Sequence, residues 1–208
     1  MRRNRRRPPQ FSVRYVPTST DGGLDQTLTI ENLTEVSVLP TLRFVPRNAY
    51  GTPIADVSTR TVNGSHLGHA LLPAGGTLVD VLRFDGPAAS LVRHVDVELE
   101  AVDEVSHPKL EQDVLTVMID LDQKATADPE DFWGIGVVNP NPFGVTVRIS
   151  LVALEEPVKG RPRQVFDVVT LQEDVDMTSQ SNHVVWLPEE VRGQFHAVVH
   201  ALVPPTLV

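Results

Sequence analysis

Val145-Thr146-Val147-Arg148-Ile149-Ser150-Leu151 alternates apolar and polar side chains without a break. Successive residues of an extended strand face opposite sides, so Val145, Val147, Ile149 and Leu151 fall on one face and Thr146, Arg148 and Ser150 on the other. A half-buried antiparallel strand requires this pattern. His94-Val95-Asp96-Val97-Glu98-Leu99-Glu100 repeats it, whereas long stretches with a 3.6-residue period are missing. The longest helix expected is a single turn near Pro87-Leu91 or Pro188-Val191.

Working outward, turn-forming clusters separate the alternating runs. They include Asp21-Gly22-Gly23, Asn48-Ala49-Tyr50-Gly51, Asn63-Gly64, Pro73-Ala74-Gly75-Gly76, Asp85-Gly86-Pro87, Asn139-Pro140-Asn141-Pro142 and Lys159-Gly160. Turns spaced roughly 10 to 15 residues apart predict an all-β chain, a sandwich or a barrel.

The run also has a counterpart upstream. A shift of 107 lays Gln26-Thr27-Leu28-Thr29-Ile30-Glu31-Asn32 on Trp133-Gly134-Ile135-Gly136-Val137-Val138-Asn139, and continues without a gap to place Val38, Leu42, Phe44 and Val45 on Val145, Ile149, Leu151 and Val152. A shift of 115 matches Ala70-Leu71-Leu72-Pro73 to Val185-Trp186-Leu187-Pro188. Phe11, Val13 and Tyr15 are expected to correspond to Leu115, Val117 and Ile119 as the inward side of each opening strand. Several matches in the same order predict two tandem units, residues 9–105 and 110–208, after a short disordered arm over residues 1–8. One larger jelly-roll-like sandwich built from both halves is the alternative.

Composition narrows the function classes. The chain has 208 residues, 41% apolar side chains, 27 acidic against 18 basic groups, and no cysteine. That is enough apolar surface for a core, and it excludes disulfide scaffolds, thiolate zinc sites and cysteine nucleophiles. Arg2, Arg3, Arg5, Arg6 and Arg7 fall within the first seven residues, and without them 13 basic groups face 27 acidic ones, a net charge near −14. An acidic body repels nucleic acid, whereas an arginine arm could contact phosphates by counterion release. The basic N-terminus runs into the mixed stretch Phe11-Ser12-Val13-Arg14-Tyr15 rather than an apolar core, so no secretory signal is expected and the location expected is cytoplasmic or particle-associated.

A search for chemistry finds no nucleophile elbow, phosphate-binding glycine loop, dinucleotide fingerprint or zinc-binding helix motif. His196 and His200 lie four apart in an expected strand, about 13 Å of rise, too far to share one metal. His66 and His69 are close in sequence but lack an evident third ligand. Asp120, Asp122, Asp128, Glu130 and Asp131 fall in a loop between the first two strands of the second unit and are the one candidate Ca2+ loop; no glycine-containing EF-hand spacing supports it. Trp133 and Trp186 are expected in the core; were they exposed, they would form a ligand platform. His94, Asp96, Glu98 and Glu100 project from one strand face and are expected to solvate it and discourage edge pairing. Asn32-Leu33-Thr34 and Asn63-Gly64-Ser65 fit the glycosylation pattern and carry no weight without a secretory signal.

Val137-Val138-Asn139-Pro140-Asn141-Pro142-Phe143-Gly144-Val145-Thr146-Val147 resembles the Asn-Pro-Asn turn and following strand of water-stress and hypersensitive-response domains, and Leu71-Leu72-Pro73-Ala74-Gly75-Gly76-Thr77 resembles their Leu-Pro-Ala turn. The resemblance covers about twenty residues, and the first unit has Glu31-Asn32-Leu33-Thr34 where the turn motif should stand. It implies immunoglobulin- or fibronectin-like sandwiches with no catalytic residues to carry over. Because sandwiches without polar constellations act through their faces, edges and end loops, the expected function is non-catalytic: a structural or protein-interaction and assembly protein with no cofactor, a protein partner or self-association, and nucleic acid only through the arm. A carbohydrate or Ca2+ binding module and a virion or particle component are the alternatives.

Overall fold

The computed structural model describes residues 11–15, 26–154, 165–194, 199–202 and 205–208. Within them the chain is all-β. In the first half the strands are β1 (Phe11–Tyr15), β2 (Thr27–Asn32), β3 (Ser37–Arg47), β4 (Ser58–Thr61), β5 (Thr77–Asp85) and β6 (His94–Val105). In the second they are β7 (Leu115–Ile119), β8 (Gly134–Asn139), β9 (Val145–Leu154), β10 (Val165–Met177), β11 (Ser181–Trp186), β12 (Val199–Leu202) and β13 (Thr206–Leu207). Helical structure is confined to α1 (Glu189–Gln194) and to 3-10 turns at Ser65–Leu67, Ala89–Leu91 and Pro129–Asp131; α1 and Ala89–Leu91 stand at the two places where one turn is expected from sequence. Among the described residues no helix is long and apolar enough to cross a membrane.

Every strand pairing is antiparallel. The sheets run β1-β2-β5-β4, β3-β6, β11-β8-β7 and β10-β9-β12, with β13 also against β9. The alternation in Val145–Leu151 becomes the middle of β9, with Val145, Val147, Ile149 and Leu151 all buried. These four join Ile135, Val137 and Val185 in one core, while Leu28, Ile30, Val38, Leu42, Leu78 and Leu82 form the other. β2 and β8, which the shift of 107 lays on one another, are both six residues long, and both end in a fully buried asparagine, Asn32 or Asn139.

Two finer alignments are corrected by the ladders. Ile30 pairs with Leu78 in the first half, and its equivalent Val137 pairs with His183 in the second. The partner of β5 is therefore β11 at a shift of 105, and residues 70–73 have no counterpart in 185–188. The shift of 115 rested on a short apolar run ending in proline, which any strand leaving a sheet into a turn can show. The opening strands differ by one residue as well. Val13 pairs with Ile30 and Thr116 with Val137, so Val13 corresponds to Thr116 rather than Val117. A slip of one reverses every side chain. Leu115 and Val117 accordingly point outward, 55% and 37% exposed. Ile119 shares their side but is covered. With apolar residues at four of the five positions of Leu-Thr-Val-Met-Ile, alternation could not set the phase.

Residues 70–72 instead link the halves. Leu72 bridges Val38 of β3 and Leu71 bridges Leu207 of β13, with Leu71 N donating to Leu207 O at 2.9 Å. Because adjacent side chains diverge, Ala70 and Leu72 enter the first core and Leu71 enters the second. A third, smaller cluster joins Val81 of β5 to Val152 of β9 and Val165 of β10. Arg83 pairs with Asp167 at 3.4 Å, and Arg148 Nη1 donates to the Asn63 carbonyl at 3.2 Å, across the same junction.

Candidate functional site

The outward face of β11-β8-β7 is built around two glycines. Asn139 and Val137 of β8 point into the core, so the alternate residues Gly134, Gly136 and Val138 face out. Their ladder partners on this face are Ile119, Val117 and Leu115 of β7, and Trp186, Val184 and Asn182 of β11. None of these nine residues is charged. A Cβ at Gly134 would lie 3.0 Å from both Trp186 Cε3 and the Val185 carbonyl, and one at Gly136 would lie 3.1 Å from Val117 Cγ1. The missing side chains let the indole and the valine close over the middle strand. Trp186 is 46% exposed, against the expectation of a core residue. Trp133 is half-buried, with the Arg192 guanidinium 4.0 Å above its ring. Glycine at alternate strand positions was the signal in the sequence that this face lacks its own central side chains.

The acidic loop is a self-contained turn. Asp120 Oδ1 accepts from the Lys124 amide at 2.8 Å, Lys124 Nζ meets Asp122 at 3.2 Å, and Asp128 Oδ1 accepts from the Glu130 amide at 3.0 Å. Glu130 and Asp131 sit in a 3-10 turn and are exposed. These carboxylates do not converge: among the described residues no three acidic or histidine side chains stand close enough to hold a metal ion. Arg2, Arg3, Arg5, Arg6 and Arg7 lie outside the described residues, as does His196, and of His200 only the backbone is described.

The row on β6 meets a partner strand that sequence reasoning did not supply. Arg47 Nε donates to Asp96 at 2.6 Å, His94 Nε2 lies 2.9 Å from the same carboxylate, and Arg43 pairs with Glu98. The hydrogen bond from Arg47 holds the Asp96 carboxyl below its ordinary range, and Glu98 raises the Arg43 guanidinium.

Four buried polar residues prove structural. Asn32 donates from Nδ2 to the carbonyls of Val36, Leu72 and Pro73, so its side-chain nitrogen is committed to the fold. Asn139 does the equivalent for Phe143 and Thr178. Asn141 accepts from the Glu111 and Gln112 amides and so fastens the segment joining the halves to the Asn-Pro-Asn turn. Asp80, wholly buried, accepts from the Asn63 amide at 2.8 Å and the Ser65 hydroxyl at 2.7 Å. Beside it, His66 Nδ1 accepts from the Thr61 amide at 3.2 Å, and burial pushes the imidazole below its ordinary value against the pull of Asp80. His66 and His69 share no ligand geometry. Compared with models of known families, with curated proteins and with solved structures, the chain matches none.

Proposed function

We propose that this chain is a non-catalytic interaction and assembly protein of two tandem β-sandwiches, about residues 9–105 and 110–208, packed against one another, and that the outward face of β11-β8-β7 is its assembly surface. The observation that carries the reading is the exposed Trp186 on a sheet face with no charged residue, in a chain whose formal charge is −9. Large apolar groups gathered on one exposed face mark interaction surfaces, and an isologous contact through it joins two acidic bodies without opposing charges at its centre. The corresponding face of the first half supports this, because Val79 and Val81 there are packed beneath the second half.

Sedimentation velocity on the full chain tests it. The mass is expected to rise above 22.9 kDa with concentration, with little response to salt, and to return to the monomer in Trp186→Asp. A wild-type chain that remains monomeric at every concentration overturns the assembly reading. Deleting residues 1–8 separates it from a particle component: salt-dependent nucleic-acid binding that disappears with the arm supports the latter.

The second reading, a carbohydrate platform, rests on the exposure of Trp186. Gly134 and Ile119, in the same ladder row, and Val184, two residues along β11, offer no side-chain hydrogen bonds to a sugar, so titration of the indole fluorescence with soluble oligosaccharides is expected to be flat.

A further inference from the structure

A cleft of about 400 Å3 opens between the halves, lined by residues 76–79 and 113–116 together with Leu71, Leu110 and Leu207. Consecutive strand residues face opposite ways, so a cleft that touches Thr77, Leu78 and Val79 at the start of β5 and Leu115 and Thr116 at the start of β7 is bordered by strand edges and hence by backbone. The phase of each ladder shows which groups turn toward it. Asn32 N donates to Gly76 O and Leu82 N to Gln26 O, which directs the main chain of Leu78 and Asp80 to β2 and that of Thr77 away from it. On β7, Thr126 N donates to Met118 O, and Asp120 N to Lys124 O, around the bridge between Ile119 and Ala125. Met118 therefore turns away from β8, and so does Thr116 two residues earlier. Among the described residues, the N–H and C=O of Thr77 and of Thr116 have no hydrogen-bond partner.

This edge lacks the usual protection. β6 carries Asp96, Glu98, Glu100 and Asp103, and β10 has three register shifts along its length. Both devices deter strand addition. The open part of β7, Leu115-Thr116-Val117, has no charge, no proline and no register shift.

We infer that the cleft accepts an extended segment of a partner protein, added as an antiparallel strand along β7. Three residues, about 10 Å, fill the open edge. Main-chain bonds to Thr116 set the register, and alternate small aliphatic side chains enter the wall formed by Leu71, Leu78, Leu110 and Leu207. Asp113 is exposed at the cleft, and the chain is acidic, so the segment carries lysine or arginine at its solvent-facing positions. The arginines that precede β1 in this chain do not supply it: Pro8 and Pro9 lack donors, and residues 2–9 hold no alternating aliphatics. This strand site is distinct from the assembly face, although Leu115 borders both.

The test is an array of labelled, acetylated octapeptides alternating valine or isoleucine with threonine, lysine or arginine, read by fluorescence polarisation on the full chain up to about millimolar protein. The best binder is expected to weaken about tenfold or more when its β7-facing amides are N-methylated, and when Thr116→Pro removes the outward donor while leaving the bonds to β8. Hydrogen exchange at Thr116 is expected to be fast in the free chain and to slow with the peptide. No binding across the array, equal binding of N-methylated peptides, or a Thr116 amide already protected in the free chain each overturns the proposal. Should Thr116→Pro not fold, the N-methyl and exchange measurements decide. Trp186→Asp is expected to leave peptide affinity within about twofold, so failure of the assembly face and failure of the strand site are read separately.

Discussion

β2 and β8 occupy the same place in their halves, bury every second side chain and end in asparagines that clamp the next turn in the same way. Their outer sides have different fates. In the first half the outward residues of neighbouring β5, Val79 and Val81, are covered by Val152, Val165 and Leu154 of the second half. In the second half Trp186 of β11 and Val117 of β7 close over Gly134 and Gly136 and remain exposed. The inner sides also part at one position: where β5 buries Asp80, β11 buries Val185. The inward pattern is a requirement of the ladder and its core, whereas the outward one depends on what each half meets.

The sharpest way to break the comparison is Asp80→Val, which gives the first half the second half's residue. It strips a partner from three buried backbone amides, those of Asn63, Ser65 and Val81, and from the Ser65 hydroxyl, and is expected to cost about 4 kcal/mol in a urea titration. A loss below about 1 kcal/mol would show that the two positions are interchangeable after all. Next is Leu71→Ala, expected to cost about 3 kcal/mol. Both tryptophans lie after residue 130, so fluorescence reports the second half, and a change made in the first is expected to lower its midpoint. An unmoved midpoint would make the halves independent. Asn139→Ala frees the Phe143 and Thr178 carbonyls and the Asn141 amide, for an expected loss of about 2 kcal/mol. Trp186→Ser is expected to change stability by less than about 0.5 kcal/mol while altering association, which separates the bare face from the covered one.

The smallest effect is a pH dependence confined to the first half. His66 is depressed mainly by burial, so its folded form binds its proton less readily than the unfolded chain does. Its contribution is complete above the unfolded value of about 6.5 and declines as pH falls toward the lower folded value, where protonation also removes the acceptor for the Thr61 amide. Urea midpoints of the wild type are expected to fall more between pH 7 and 5 than those of His66→Gln; parallel curves would remove His66 as the cause.

Sequence and structure agree where one face of a strand is uniformly apolar. Val145–Leu151 and the paired runs before Asn32 and Asn139 could be read because a half-buried strand admits one phase. β7 could not be phased, since Leu115, Val117, Met118 and Ile119 supply apolar groups to both sides. Trp186 was misplaced for a related reason: apolar character in a strand does not say which layer covers it. Asp80 gave no signal, because its burial depends on amides contributed by Asn63 and Ser65, which only the folded loop brings to it. The acidic loop was legible as a loop, but its carboxylates had alternatives among their own amides that spacing alone could not reveal.

The bridge between Leu71 and Leu207 joins residues 136 positions apart in the chain. During synthesis Leu71 leaves the ribosome long before Leu207 exists, so the first half must wait with a leucine presented to water where β13 will dock. Contacts of such sequence separation form late and slow the final step of folding. The nascent first half is thus exposed to aggregation or chaperone capture at that strand until the last residues of the second half arrive.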